Sequence, residues 1–353
     1  MKRSNPALDD SVESNRATLQ PDLSLQHLLL GLARIDVLLR REVQRWQIAG
    51  QDPADDFRGL YVSDALAVAL LNRDFGATWG SAAPIDAGDA QFFQHALEQI
   101  AQHTAEIEAA AQEQGVQLRL NALVQNFGLD EFERDALLIC MAPALDLRYE
   151  RIYGYLQDDV TRRSASVNLI LSLLCPAGAA RLARLEQFSE DAPLLRLNFL
   201  ERVNENGAGK IALLNQAFLP DETVAGWLLG RYRPHLRIRE QAEYSLEGGE
   251  GAEILGEMDS WPENTLLVFY GPDLAAQSAA ARGLAARLAR PLLALDVAGL
   301  LAAEEPLLPA VRLALRDARL TGAILLLHGL EACLVDNSPP VKLLEALCAQ
   351  PDG

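Results

Sequence analysis

From Leu23 onward, apolar residues return every three or four positions. Leu25, Leu28, Leu29, Leu32, Ile35, Leu38, Leu39 and Val43 fall on one stripe of a helix. The pattern predicts that this helix ends near Gly50, ahead of Asp52-Pro53. A second helical segment is predicted over 63–71, and a loop rich in Gly, Ser, Ala and Pro over 76–88. A long helix is predicted over 90–113, with Gly115 as its stop. Shorter helices follow over 118–127, 131–141, 147–156, 166–174 and 179–185. Gly128 ends the first of these, Asp130 caps the second, and Pro143 is expected to break it. Residues 1–20 are polar and show no such period, and are expected to be disordered.

After this run the period changes to two. Leu195, Leu197 and Phe199 alternate with Arg196 and Asn198, which predicts a strand. Asn204-Glu205-Asn206-Gly207-Ala208-Gly209 reads as a hairpin turn, and 210–214 as the returning strand. Pro220-Asp221 then opens a helix to about Leu229. Several helices followed by a β-hairpin is the plan of a winged helix. Beyond a Glu- and Gly-rich connector, strands are predicted over 266–270, 291–297 and 323–327, with helices over 275–289 and 306–319. That alternation predicts a parallel sheet with covering helices. The fold class is therefore α+β and multidomain: a helical N-terminal region, a winged-helix domain, and an incomplete P-loop-type α/β domain with a parallel sheet. The expected boundaries are a disordered tail over 1–22, the helical region over 23–116, the winged helix over 117–231, a connector over 232–262 and the last domain over 263–353.

Charge narrows the partners. The 353 residues hold 31 Lys and Arg against 49 Asp and Glu, a net charge of −18. Binding to phosphate backbones needs clustered cations, so nucleic acid is an unfavoured partner. No apolar run approaches the ~20 residues of a membrane span, and no secretory leader opens the chain; a cytoplasmic location is expected. Cys140, Cys175, Cys333 and Cys348 lie in apolar stretches without metal spacing, and read as buried free thiols.

The strand over 266–270 is followed by Gly271-Pro272-Asp273-Leu274-Ala275-Ala276-Gln277-Ser278. This has the layout of a phosphate-binding loop, G-x-x-x-x-G-K-[ST]. Ala276 stands in place of the second glycine and Gln277 in place of the lysine, so the counter-charge for the β- and γ-phosphates is gone. The strand over 323–327 should end in acids that order Mg²⁺ and activate water, but His328 and Gly329 follow it. Glu331 lies two residues further, on an expected loop. Residues 240–353 carry 7 Lys and Arg against 17 Asp and Glu, a net of −10 that repels polyphosphate. The residues of this vestigial cofactor loop are Gly271, Gln277 and Ser278; no catalytic residue and no metal ligand is expected. An ordinary strand-to-helix turn is the alternative reading of 271–278.

Stretches along 25–350 carry a resemblance: Phe127-Gly128-Leu129-Asp130-Glu131-Phe132, Asp146-Leu147-Arg148-Tyr149-Glu150-Arg151, Tyr270-Gly271-Pro272, Arg290-Pro291-Leu292-Leu293 and Gly322-Ala323-Ile324-Leu325-Leu326-Leu327. The order resembles bacterial AAA+ ATPases that carry a winged helix ahead of the ATPase core, in particular those beside contractile injection systems. The resemblance implies a non-catalytic scaffold and partner-recognition region with a degenerate first core. It also implies truncation at Gly353 and a working core with ATP and Mg²⁺ beyond it. The implied partners are proteins, including further copies in a ring.

Two other functions stay open on the residues. One is an ATPase whose site is completed from outside. The other is a DNA-binding regulator that uses helix 166–174, with Ser166, Asn168 and Ser172, preceded by Arg162-Arg163. Arg196, Arg202 and Lys210 read as a solvated hairpin face. Tyr149, Tyr153 and Tyr155 are read as core packing rather than a binding surface, and His27, His95, His103, His235 and His328 as too scattered for a metal.

Overall fold

The computed structural model describes residues 22–49, 68, 71–72, 84–203, 211–246, 265–334 and 340–348. The expected tail up to 21, the expected helix over 63–71 (apart from 68 and 71), the hairpin turn at 204–209 and the connector from 247 lie outside them.

Helix α1 (Leu23–Ile48) starts where the Asp22 carboxylate accepts the Leu25 N–H at 2.6 Å. Its stripe of Leu28, Leu32, Ile35, Leu38 and Leu39 is buried, each side chain contributing about 1.5–3 kcal/mol. It packs against α2 (Ala87–Glu113), and against α4 (Glu131–Leu145) and α5 (Arg148–Leu156), which follow α3 (Arg119–Phe127). A capping box opens α4: Asp130 accepts the Glu133 N–H at 2.8 Å, and the Glu133 carboxylate accepts the Asp130 N–H at 2.9 Å.

Pro143 does not break α4, which runs on to Leu145. A helical proline leaves the carbonyl four residues earlier without its N–H partner. Here that carbonyl belongs to Ile139, and the hydroxyl of buried Tyr153 donates to it at 2.7 Å. Tyr149 and Tyr153 are buried and Tyr155 packs against the same core, as the packing reading expects.

Next come β1 (Ala165–Ser166), α6 (Val167–Leu174), α7 (Ala179–Arg184), a 3-10 turn (Leu185–Phe188), α8 (Pro193–Arg196), β2 (Leu200–Val203), β3 (Ala217–Pro220) and α9 (Glu222–Leu228). The strands form an antiparallel sheet in the order β1-β3-β2, with Leu200 opposite Pro220 and Val203 opposite Ala217. Both strand predictions need correction. Residues 195–199 are not a strand: Pro193 starts a helical turn there, and the ladder begins only at Leu200. The returning strand is Ala217–Pro220 rather than 210–214, and residues 213–215 form a 3-10 turn.

The rest comprises β4 (Ala242–Ser245), α10 (Leu274–Arg287), β5 (Leu292–Asp296), α11 (Val297–Ala302), α12 (Leu307–Thr321), β6 (Ile324–His328), a 3-10 turn (Leu330–Cys333) and α13 (Val341–Cys348). The second sheet has the order β4-β5-β6, with β4 antiparallel and β6 parallel to β5. The expected strand over 266–270 is absent: the segment joins no ladder, and Leu266, Val268 and Tyr270 are exposed. Among the described residues the parallel sheet is thus reduced to one pair, and no phosphate-loop strand runs through it. Instead β4, inside the expected connector, supplies the third strand.

Two hydrophobic clusters form among the described residues. One is built on α1, α4, α6 and the first sheet, the other on β5, α11 and α12. Helix α12 belongs to both, with Leu320 in the first and Val311, Leu313 and Ala314 in the second.

Candidate functional site

Helices α6 and α7 are joined by the four residues 175–178, and Gly178 takes φ +97° in that turn. Two short helices with a Gly-containing turn of this length form a helix-turn-helix, whose second member is the one that reads DNA in nucleic-acid-binding relatives of the motif. The expected reading helix, 166–174, is the first member instead. It is buried nearly all round: Val167, Leu169, Ile170, Leu171 and Leu173 are core, Ser166 caps the helix, and the Ser172 hydroxyl donates to the Leu169 carbonyl at 2.7 Å. Of its three polar candidates only Asn168 faces outward. Arg162 and Arg163 lie beside Asp159 and Glu150, at 3.4 and 3.9 Å.

The second helix, α7, carries Arg181 and Arg184. Arg181 is 5 % exposed, and its Nε donates to the Cys175 carbonyl at 3.4 Å. Burial draws its guanidinium pKa below the usual range. Arg184 donates to Asp130 Oδ2 at 2.7 Å and stacks on the Phe132 ring, 5.0 Å from its centre. The outward face of α7 is Ala179, Ala180, Leu182 and Ala183, continued by Pro176 and Ala177 in the turn. Leu182 is 50 % exposed. A helix meant for phosphates would turn unpaired cations outward; α7 buries Arg181 and pairs the half-exposed Arg184 with Asp130. Of the residues expected on the wing, Arg202 on β2 pairs with Glu190 at 2.9 Å, Arg196 is exposed at the end of α8, and Lys210 lies outside the described residues.

A buried polar clamp holds the two parts of the chain together. Arg316 on α12 donates to the Asn198 carbonyl at 2.6 Å and to Asp317 Oδ1 at 2.8 Å, and its guanidinium stands 3.3 Å from Asp221 Oδ1. Asp317 also accepts from the Tyr232 hydroxyl and the His235 N–H, at 3.2 and 3.1 Å. Asp221 caps α9 through the Val224 N–H at 2.9 Å. Burial pushes the Asp221 pKa up, but His235, Arg316 and the Val224 N–H together hold it below the ordinary value. For Asp317 burial prevails over Arg316, and its pKa is raised.

Beside the clamp a cleft of about 370 Å³ opens between β2 and α12, lined by Leu200, Glu201, His235, Arg237 and Leu313 among others. His235 Nε2, Asp221 and Glu201 present ligand atoms within 4.8 Å of one another, the spacing of a cation site. The hydrogen bonds assign them differently. His235 Nδ1 accepts the Arg237 N–H at 3.2 Å, so in the neutral ring Nε2 carries the proton and points it at Asp221 Oδ2, 3.2 Å away. A metal at Nε2 would push the ring proton to Nδ1, against the Arg237 N–H, and the Arg316 guanidinium already pairs with Asp221.

The expected cofactor residues lie apart from this clamp. Gly271 takes φ +132°, and Gln277 Nε2 donates to the Gly271 carbonyl at 2.9 Å, closing the loop on itself. Asp273 caps α10 through the Ala276 N–H at 2.9 Å, which puts a carboxylate where a phosphate would sit. Ser278 is half-buried. His328 at the end of β6 lies 3.7 Å from Asp296, and Glu331 is exposed on the following turn. The other histidines are dispersed: His27 is buried beside Glu108, and His95 and His103 are exposed on α2.

Helices around a three-stranded antiparallel sheet, with a helix-turn-helix leading into a β2–β3 wing, define a winged helix. The family described as "Winged helix domain, variant" matches residues 22–242, well over half of the chain, and the chain belongs to that family. No curated protein and no solved structure matches it. Among the described residues, no helix is long and apolar enough to cross a membrane.

Proposed function

We propose that this chain is a non-catalytic winged-helix module that recognises protein rather than nucleic acid, with α7 as its contact helix. One observation carries this reading: Arg181 is buried against the Cys175 carbonyl and the half-exposed Arg184 is paired with Asp130, while Ala179, Ala180, Leu182 and Ala183 face outward. An apolar, uncharged outer face suits burial against another protein surface. It gives a phosphate backbone nothing to pair with, and the net charge of −18 repels one.

Within this reading the part after residue 246 is scaffold. It serves as the degenerate core of a cytoplasmic AAA+ assembly, and ATP with Mg²⁺ is handled elsewhere in that assembly. The closed Gln277–Gly271 contact and the Asp273 cap support a loop at Gly271, Gln277 and Ser278 that holds no nucleotide.

The test is a gain of function. Ala180→Arg with Ala183→Arg places two free cations on the outer face of α7. Duplex DNA affinity should appear in the double variant, with a log–log salt slope steeper by roughly 1–2 than in the parent. If the parent already binds duplex DNA with the slope of several phosphate contacts, the protein-recognition reading fails.

A further inference from the structure

His27 on α1 is 4 % exposed and lies where α1 packs on α2. Its Nε2 stands 3.4 Å from Glu108 Oε1 on α2. A carboxylate only accepts, so the neutral ring carries its proton on Nε2. Nδ1 is sealed from solvent and has no hydrogen-bond partner among the described residues. Because the atom is already covered, no further group reaches it unless this packing opens. Buried polar atoms are seldom left unpaired in a folded chain, and one that is calls for a reason.

The ring sits at one end of an antiparallel helix pair. At the other end Gln44 of α1 donates to Asp89 of α2. Glu108 is also held by α3, since its Oε1 accepts from Asn121 Nδ2 at 2.8 Å. Phe93 and Ala111 are the buried residues of α2, against nine on α1, so apolar burial holds α2 less firmly.

Two charges act on the ring directly. Glu108 draws a proton towards it, and Arg134 of α4 repels one. Other charges on the adjoining helices are paired among themselves. Arg134 and Arg34 of α1 share Glu131 and Asp135 at 2.7–3.3 Å. Arg119 of α3 is paired with Asp22 at 3.0 Å, and its N–H donates to Ser24 Oγ at 2.8 Å. Burial outweighs the pull of Glu108, and the ring's pKa lies below its ordinary 6.5.

We propose that His27 makes the docking of α2 on α1 sensitive to acid: the neutral ring fits the docked pair, and the protonated ring favours release of α2. A second proton has only Nδ1 to go to, where it would be a charged donor without an acceptor. Parting the helices lets water meet that donor. The released ring binds a proton more readily than the docked one. Docking is therefore at full strength above 6.5 and weakens as pH falls below it, down to the docked ring's own pKa. The inference is independent of the role of α7.

The experiment is hydrogen exchange of the α2 amides in the full chain between about pH 7.5 and about pH 5.5, with rates corrected for the pH dependence of the exchange chemistry. We expect α2 to be less protected than α4 throughout. Its protection should fall on acidification by at most about tenfold per pH unit, the limit for one proton. His27→Gln keeps a donor towards Glu108 and cannot titrate, so the fall should vanish. His95, His103 and His235 remain in that variant, and a fall that survives in it overturns the proposal. So does α2 protection that is steady or rises on acidification, or that equals that of α4 at every pH. If His27→Gln does not fold, the His27 ring signals in the unmodified chain, followed by NMR, decide instead. Charging of the ring in step with loss of α2 protection supports the proposal, and charging that leaves α2 protected overturns it.

Discussion

Arg184 and Asp130 form a 2.7 Å ion pair that ties the outer helix of the helix-turn-helix to the cap of α4. The same carboxylate group accepts the Glu133 N–H, so one residue anchors two helices. Both partners are about 40 % exposed, which limits what the pair contributes. Arg184→Ala should lower stability by about 1 kcal/mol or less, read from the urea midpoint. A loss several times larger would mean that α7 depends on this contact to fold.

Tyr153 and Pro143 make a second linked pair. Tyr153→Phe strands the Ile139 carbonyl that Pro143 leaves free, and should cost about 1–3 kcal/mol. Pro143→Ala restores an N–H to that carbonyl, so in its background Tyr153→Phe should cost clearly less. A double-mutant cycle in urea measures the difference. Strict additivity would show that the hydroxyl has no part in tolerating the proline.

The clamp predicts two opposite responses to pH. The Asp221 pKa lies below its ordinary 3.8 in the folded chain. Its contribution is therefore present above about that pH and is lost as pH falls through the folded value. The Asp317 pKa is raised above 3.8, so its ionised form is held at a cost, which is relieved as pH falls through the folded value. Asp221→Asn keeps the cap on the Val224 N–H but removes the charge facing Arg316. It should lower stability at neutral pH by about 2 kcal/mol and flatten the loss below pH 3.8. Asp317→Asn should remove the gain above that pH. Unfolding free energy followed from neutrality downward checks both, and equal slopes in the two variants would contradict the assignment.

Gln277→Lys tests the vestigial loop. Restoring the cation alone should yield no calorimetric binding of ATP with Mg²⁺, because residues 266–270 are not held in the sheet and His328 and Gly329 supply no acid. Binding of the variant in the micromolar range would mean that the loop retains a usable cradle.

Much of this was legible in the chain. The three- and four-residue spacing located α1 and α3 to within a few residues, because each buries one stripe against a common core; α2 and α6 were bounded by their caps and stops instead. What escaped depended on distant partners. Pro143 stays inside α4 only because Tyr153, ten residues on, serves its orphaned carbonyl. Residues 266–270 have every local mark of a strand, but a strand exists only in a ladder, and no strand among the described residues pairs with them. The apolar outer face of α7 was hidden because Arg181 and Arg184 look basic until their partners are known. His235 was passed over among scattered histidines, since Asp221 and Asp317 come from opposite sides of it in the chain. One signal was available: Asp317 falls four residues after Leu313 and three before Leu320, on the apolar stripe of α12, where an unpartnered carboxylate would be costly.

The most direct test is the salt dependence of duplex DNA binding by the unmodified chain, measured by fluorescence anisotropy from low to physiological salt. The outward Ala179, Ala180, Leu182 and Ala183 predict no saturable binding even at the lowest salt, and no change in Arg184→Ala. Saturable binding whose log–log salt slope reports several released counterions, and which falls when Arg184 is removed, would contradict the account.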